Sequence, residues 1–125
     1  MTIAKWNVLV VEDEADSMEL VQGLLSYYGI HSVGAGSGEE ALQLLKEMKP
    51  TLISLDLALP DVDGWGVLDA VKQNKMLSQV PCVAITAFHT PELAEQAIVA
   101  GFSAYFAKPI DATSFVRELQ AIVGS

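Results

Sequence analysis

Short apolar runs stand at residues 7–11, 52–55, 82–85 and 104–107, and each ends on polar residues: Glu12 with Asp13, Asp56, Thr86 and Lys108. An apolar run of this length, bounded by turn residues, reads as a strand buried on both faces. Strands are predicted at 6–11, 31–35, 52–55, 82–86 and 104–107, alternating with helices at 15–28, 38–48, 64–74, 91–100 and 112–123. Five strand-then-helix units with short connections predict a doubly wound α/β domain, a five-stranded parallel sheet carrying five helices. Parallel strands place their carboxyl ends on one edge, so the polar positions are predicted to converge there.

Several boundaries carry their own signals. Tyr28-Gly29 is a glycine stop for the first helix, Ser37 with Glu40 three residues later is a capping box, and Asp111 is an N-cap for the last helix. Helical spacing puts Ala41, Leu44, Leu45 and Met48 on one face of the second helix. It likewise puts Ala112, Phe115, Val116, Leu119, Ile122 and Val123 on one face of the fifth. The first helix has two apolar stripes: Met18, Val21, Leu25 and Tyr28, with Leu20, Leu24 and Tyr27 beside them. One stripe must pack on the sheet; the second is either a widened core stripe or a patch for a partner.

Composition narrows the setting. The chain has 125 residues, 51% of them hydrophobic, enough for one well-filled core. With 7 basic against 16 acidic residues the formal net charge is −9, which argues against direct contact with nucleic acid or an anionic membrane. The single Cys82, inside an apolar run, allows no intramolecular disulfide and reads as a buried thiol acting as a small hydrophobe. The apolar run before Glu12 is too short for a signal-peptide core or a membrane span, so the expected location is cytoplasmic. Met1 reads as a native start and Gly124-Ser125 as a bare stop.

The convergent residues suggest chemistry. An acidic pair, a lone aspartate, a hydroxyl and a lysine make a small anionic pocket able to hold a divalent cation, with a cationic side chain on its far wall. His31 and His89 are far apart in sequence and lack metal-ligand spacing.

Four segments carry a resemblance: Val8-Leu-Val-Val-Glu-Asp-Glu14, Leu55-Asp-Leu-Ala-Leu-Pro-Asp-Val-Asp-Gly64, Ile85-Thr-Ala87 and Tyr105-Phe-Ala-Lys-Pro109. In this order, each at a strand end, they resemble the signature segments of response regulator receiver domains, with a CheY-like, flavodoxin-like fold. The match covers nearly the whole chain and implies a single receiver domain, 1–125, with no output domain encoded. It also implies strand order 2-1-3-4-5, which sets Glu12, Asp13 and Asp56 at the topological switch point.

The resemblance implies a phosphoacceptor switch rather than a conventional enzyme. Asp56 would be the nucleophile, taking a phosphoryl group from a partner histidine kinase or histidine phosphotransfer protein as a high-energy acyl phosphate. Mg²⁺ would offset the repulsion between the two anions, held by Asp13, Asp56 and the Ala58 carbonyl, with Glu12 acting through a metal-bound water. Lys108 would pair with Asp56 beforehand and with the phosphoryl oxygens afterwards, and a cis bond to Pro109 is implied. Pro60 and Gly64 would shape the loop after Asp56. Thr86 and Tyr105 would carry the change to the face formed by the fourth helix, fifth strand and fifth helix, and so to a downstream protein.

Some positions are individual to this chain. Ala58 and Phe88 are apolar where side chains flank the approach of hydrolytic water, which predicts slow autodephosphorylation, with Phe88 shielding the anhydride or turning away. The output face is poor in charge, offering Glu92, Glu95, Arg117 and Glu118, which argues against dimerisation through paired charges ahead of DNA binding. Trp65 follows the Asp56 loop and is a natural fluorescence reporter. The competing reading is a receiver-fold interaction module independent of phosphate. A Mg²⁺ phosphohydrolase would want a second acid two residues after the nucleophile, and that position is Ala58.

Overall fold

The computed structural model describes residues 2–59 and 61–124; Met1, Pro60 and Ser125 lie outside the described residues. A short 3₁₀ turn, Ile3–Lys5, leads into β1 (Asn7–Val11), α1 (Ala15–Tyr27), β2 (His31–Ala35), α2 (Gly38–Leu44) and β3 (Leu52–Asp56). There follow α3 (Gly64–Gln73), β4 (Cys82–Thr86), α4 (Pro91–Ala100), β5 (Ala104–Ala107) and α5 (Phe115–Val123). The strands form one parallel sheet in the order β2-β1-β3-β4-β5. The expected doubly wound fold is therefore present, order included.

Strand alternation divides the core into two layers. Leu9, Val11, Ile53, Leu55 and Ala84 face one side, against α2, α3 and α4 through Ala41, Val67, Val71 and Ala97. Val8, Val10, Leu52, Val83 and Ile85 face the other, against α1 and α5 through Val21, Leu25, Phe115 and Leu119. Because β1, β3 and β4 are buried on both sides, their runs are predominantly apolar, with Ser54 the one polar residue inside β3. Among the described residues no helix is long and apolar enough to cross a membrane.

Local punctuation acts as expected at most boundaries. After α1, Ile30 N–H donates to the Leu25 carbonyl and Gly29 N–H to that of Ser26, with Gly29 at φ 76°. This is a Schellman stop, and buried Ile30 packs in the same layer as Leu25. At α2 the Ser37 side chain accepts from Glu40 N–H, while the Glu40 carboxylate turns back to Gly36 N–H rather than to Ser37.

Three expectations are corrected. α2 ends at Leu44, not 48, because residues 45–47 tighten into three-residue turns, with Lys46 N–H on Gln43 and Glu47 N–H on Leu44, as the chain bends toward Pro50. α5 begins at Phe115 rather than 112: Asp111 Oδ1 accepts from Thr113 N–H and Oγ1, capping its own turn instead of the helix. Ala112 is consequently exposed and takes no part in the core stripe. In α1, Tyr28 lies at the C-cap and is 40% exposed, so the sheet-facing stripe is Met18, Val21 and Leu25.

Candidate functional site

Apart from Ser54 inside β3, the buried polar side chains gather at the carboxyl edge of the sheet. Glu12, Asp56 and Thr86 are 2%, 4% and 1% exposed. Buried acids and hydroxyls are costly without partners, and the backbone supplies some. Glu12 N–H is fixed on the Ala35 carbonyl, and the Asp56 carboxylate accepts from Ala58 N–H through Oδ1 at 2.9 Å. Gly64 makes the approach of α3 possible, since a side chain there would begin 2.6 Å from the Asp56 carbonyl oxygen and 2.9 Å from Leu57 Cα.

Lys108 closes the pocket from β5. Its backbone N–H donates to the Thr86 carbonyl, and its bond to Pro109 is cis. The ammonium has three protons and makes three hydrogen bonds, each 3.1 Å long, to Glu12 Oε1, Asp56 Oδ2 and Ser17 Oγ. Nζ lies equally 3.1 Å from Glu12 Oε2, but with its protons used that oxygen is left buried without a hydrogen bond. Ser17 is a site residue that the sequence reading missed; its signal is its place in the first turn of the helix that follows Asp13.

Electrostatics follow from this crowding. Burial, a hydrogen bond with Asp56 and the charge on Asp56 raise the Glu12 pKa to about 8, against the pull of Lys108. Burial alone would lower the Lys108 pKa, but Glu12 and Asp56 outweigh it, and the net direction is upward. Burial and Asp56 thus favour the protonated form of Glu12, and the two acids favour the charged form of Lys108.

Exposed Asp13 completes an acidic cluster: Glu12, Asp13 and Asp56 each offer an oxygen, all within 4.8 Å of one another. The three carboxylates and the unsatisfied Glu12 Oε2 fit a hard divalent cation that prefers oxygen ligands. Neither His31 nor His89 belongs to that cluster. Ala58 is exposed, and its described contact is the N–H on Asp56.

The remaining predicted residues stand further out. Thr86 Oγ1 accepts from Phe88 N–H at 3.1 Å, and among the described residues no hydrogen bond joins it to Asp56 or Lys108. The Phe88 ring is 71% exposed, so it does not seal the pocket in this state. Tyr105 is half-buried, its ring 5.3 Å from that of His89 and its hydroxyl 3.1 Å from His89 Nδ1. Burial raises the Tyr105 pKa, partly offset by the Thr90 backbone. Trp65 packs edge-on against Phe102 at 5.6 Å.

Asp61 was also missed. Its carboxylate accepts from Gly38 and Glu39 N–H at 3.1 and 2.9 Å, tying the loop after Asp56 to the start of α2. These bonds hold its pKa below the usual carboxylate range.

Comparison with known proteins gives a consistent picture. The family model described as response regulator receiver domain matches residues 8–120. The polar-differentiation response regulator DivK of Brucella ovis is 34% identical over 118 residues, covering 94% of this chain and 96% of that protein. A putative response regulator from Chloroflexus aurantiacus has a TM-score of 0.91 at 28% identity, over 96% of this chain and 98% of its own. The receiver domain of the sensor histidine kinase PA1611 from Pseudomonas aeruginosa has a TM-score of 0.87 at 26% identity, with the same coverages. That structure carries a magnesium ion coordinated in its active-site cleft.

Proposed function

Because this chain belongs to the response regulator receiver domain family, whose members are two-component signalling proteins that bind Mg²⁺ at an acidic pocket, we propose that Asp56 is its phosphoacceptor. The observation that carries the reading is the Lys108 ammonium shared between Asp56 and Glu12 beside Asp13. An Asp56 carboxylate oxygen attacks the phosphorus of a phosphohistidine on a histidine kinase or phosphotransfer protein. The new O–P bond forms as the N–P bond breaks, and the imidazole leaves with its electron pair and takes up a proton.

Asp13, Asp56 and the Ala58 carbonyl would hold Mg²⁺, with Glu12 reached through water; bound there, the ion neutralises charge on the incoming phosphoryl oxygens. Lys108 exchanges its bond to Asp56 for one to the phosphoryl group and keeps a cation on the opposite wall. Ser17 keeps the ammonium from collapsing wholly onto Glu12. Thr86 and Tyr105 carry the change toward α4, β5 and α5 and a downstream protein, and the exchange takes place in the cytoplasm.

The donor docks beside Lys108. A cavity of about 280 Å³ is lined by Ser17, Leu20, Val21, Lys108, Pro109 and Ile110. It shares Leu20 and Ile110 with a groove of about 520 Å³ along α1, rimmed by Asp16 and Glu19. A partner seated there would lie against Ser17 and Lys108, the latter hydrogen-bonded to Asp56.

The test is intact mass after incubation with Mg²⁺ and a small-molecule phosphodonor. One added phosphoryl group is expected, absent in Asp56→Asn and with the metal chelated. No addition from either the small donor or a phosphohistidine protein would instead support an interaction module independent of phosphate. Slow hydrolysis rests on the absence of a polar group at Ala58 and Phe88, not on shielding by the phenyl ring. Introducing Ala58→Asn with Phe88→Glu shortens the phosphoryl lifetime by about tenfold or more, by orienting water; a lifetime shortened only slightly removes the idea.

A further inference from the structure

Four exposed residues, 87–90, join the end of β4 to α4. They are tied down at both ends. Phe88 N–H donates to Thr86 Oγ1, and the Thr90 side chain caps α4 by accepting from Leu93 N–H. Between these ties sits His89, whose Nδ1 meets the Tyr105 hydroxyl at 3.1 Å. Tyr105 lies opposite Ala84 and Thr86 opposite Ala107, so Tyr105 and Thr86 are diagonal neighbours on the same face of adjacent strands. The Tyr105 ring packs on the α2–α3–α4 layer, where Leu93 also packs.

We propose that His89 is a positioning residue for Tyr105, latching its ring to the loop whose first turn hangs on the Thr86 hydroxyl. Residues 88 and 89 are adjacent, so one short stretch of backbone carries both hydrogen bonds. A shift of Thr86 that breaks its bond to Phe88 N–H also draws His89 away from Tyr105. The converse holds, and a docked Tyr105 stabilises the loop with Thr86 in its present place. The latch is a property of the loop as it stands; its bearing on signalling rests on the reading that Tyr105 responds to phosphorylation.

His89 is exposed, outside both core layers and outside the phosphoacceptor pocket, so its substitution leaves the fold intact. Losing one such hydrogen bond shifts the ratio of docked to released Tyr105 by roughly fivefold. Protein labelled with 3-fluorotyrosine reports this by fluorine NMR, with the Tyr105 resonance assigned from Tyr105→Phe.

In the unphosphorylated protein, His89→Ala should move the Tyr105 resonance and leave those of Tyr27 and Tyr28 in place. His89→Asn, which offers a polar atom near the position of Nδ1, should restore it. A Tyr105 resonance unmoved by His89→Ala overturns the proposal, as does equal displacement in the alanine and asparagine variants. Phosphorylating the wild type separates the two readings: an unmoved Tyr105 resonance there sinks the switch role of Tyr105, while the alanine and asparagine results still decide the latch.

Discussion

Glu12, Asp56 and Thr86 are polar side chains buried at the carboxyl edge of the sheet, whereas Leu20 and Tyr27, on the helix beside it, are apolar side chains left 56% and 83% exposed. Both departures run against the sorting that folds a domain, and they differ in what compensates them. In the pocket, compensation is internal but incomplete: Lys108 spends all three ammonium protons on Glu12, Asp56 and Ser17, and Glu12 Oε2 is left without a hydrogen bond. On α1 the compensation is slight: the Tyr27 ring meets the Tyr28 ring edge-on at 5.2 Å, and more than half of Leu20 faces water. The buried acids need something to enter, and the exposed residues need something to cover them. Lys108 and Leu20 line the same cavity, so the two needs meet at one place.

Removing the lysine should break the first half of the comparison most severely. In Lys108→Met the acids lose the cation that faces them, and phosphoryl oxygens lose the charge that receives them. Phosphoryl uptake from a small-molecule donor should slow by about a hundredfold or more, measured as the rate of mass gain. Uptake within a few-fold of the wild type would mean that the ammonium serves the fold and not the transfer.

A second test asks how the pocket carries its acids without metal. The folded pKa of Glu12, about 8, lies above its ordinary value of 4.5, so the folded state binds this proton more tightly than the unfolded chain. The resulting stability is full below the unfolded pKa and is lost as pH rises through about 8. In urea unfolding with metal chelated, stability should fall by on the order of 2 kcal/mol between about pH 6 and about pH 9. Glu12→Gln should flatten that slope. Mg²⁺, which competes with the proton for the carboxylates, should stabilise the wild type more at the higher pH. An identical slope in Glu12→Gln would place the titration elsewhere.

What could be read beforehand divides along the same line. The strand ends carrying Glu12, Asp13, Asp56 and Thr86 were legible because β1, β3 and β4 are buried and mostly apolar, and a charged or hydroxyl residue closes each run; Lys108 follows β5, an edge strand that is only half-buried, against the expectation of a buried one. Cys82, buried with its thiol pushed up to about 12, was legible for the same reason. Contacts made across the fold were not. Ser17 looks like an ordinary helix serine until Lys108 is placed, and His89 looks like a loop histidine until β5 brings Tyr105 beside it. Asp111 misled because an aspartate can cap its own turn as readily as a helix, and only the packing of Phe115 fixes where α5 begins. On α1, spacing alone could not decide between a wide core stripe and a patch; the structure divides the stripe, with Leu24 packed against the core and Leu20 and Tyr27 left on the surface.

That surface gives the smallest effect and the sharpest contrast. Leu20→Ser with Tyr27→Ser removes apolar area that folding leaves mostly exposed, so unfolding stability should fall by no more than about 1 kcal/mol. Uptake from a small-molecule phosphodonor should not change either, because neither side chain touches Glu12, Asp56 or Lys108 among the described hydrogen bonds and ion pairs. Uptake from a phosphohistidine protein should slow about tenfold, the loss expected when two partly desolvated anchors at a small interface are removed. Lys108→Met should slow uptake from both donors, and this variant should slow it from the protein donor alone. Equal rates with both donors would show that the exposed stripe faces some other partner, leaving the buried acids and the exposed apolar residues as neighbours without a shared task.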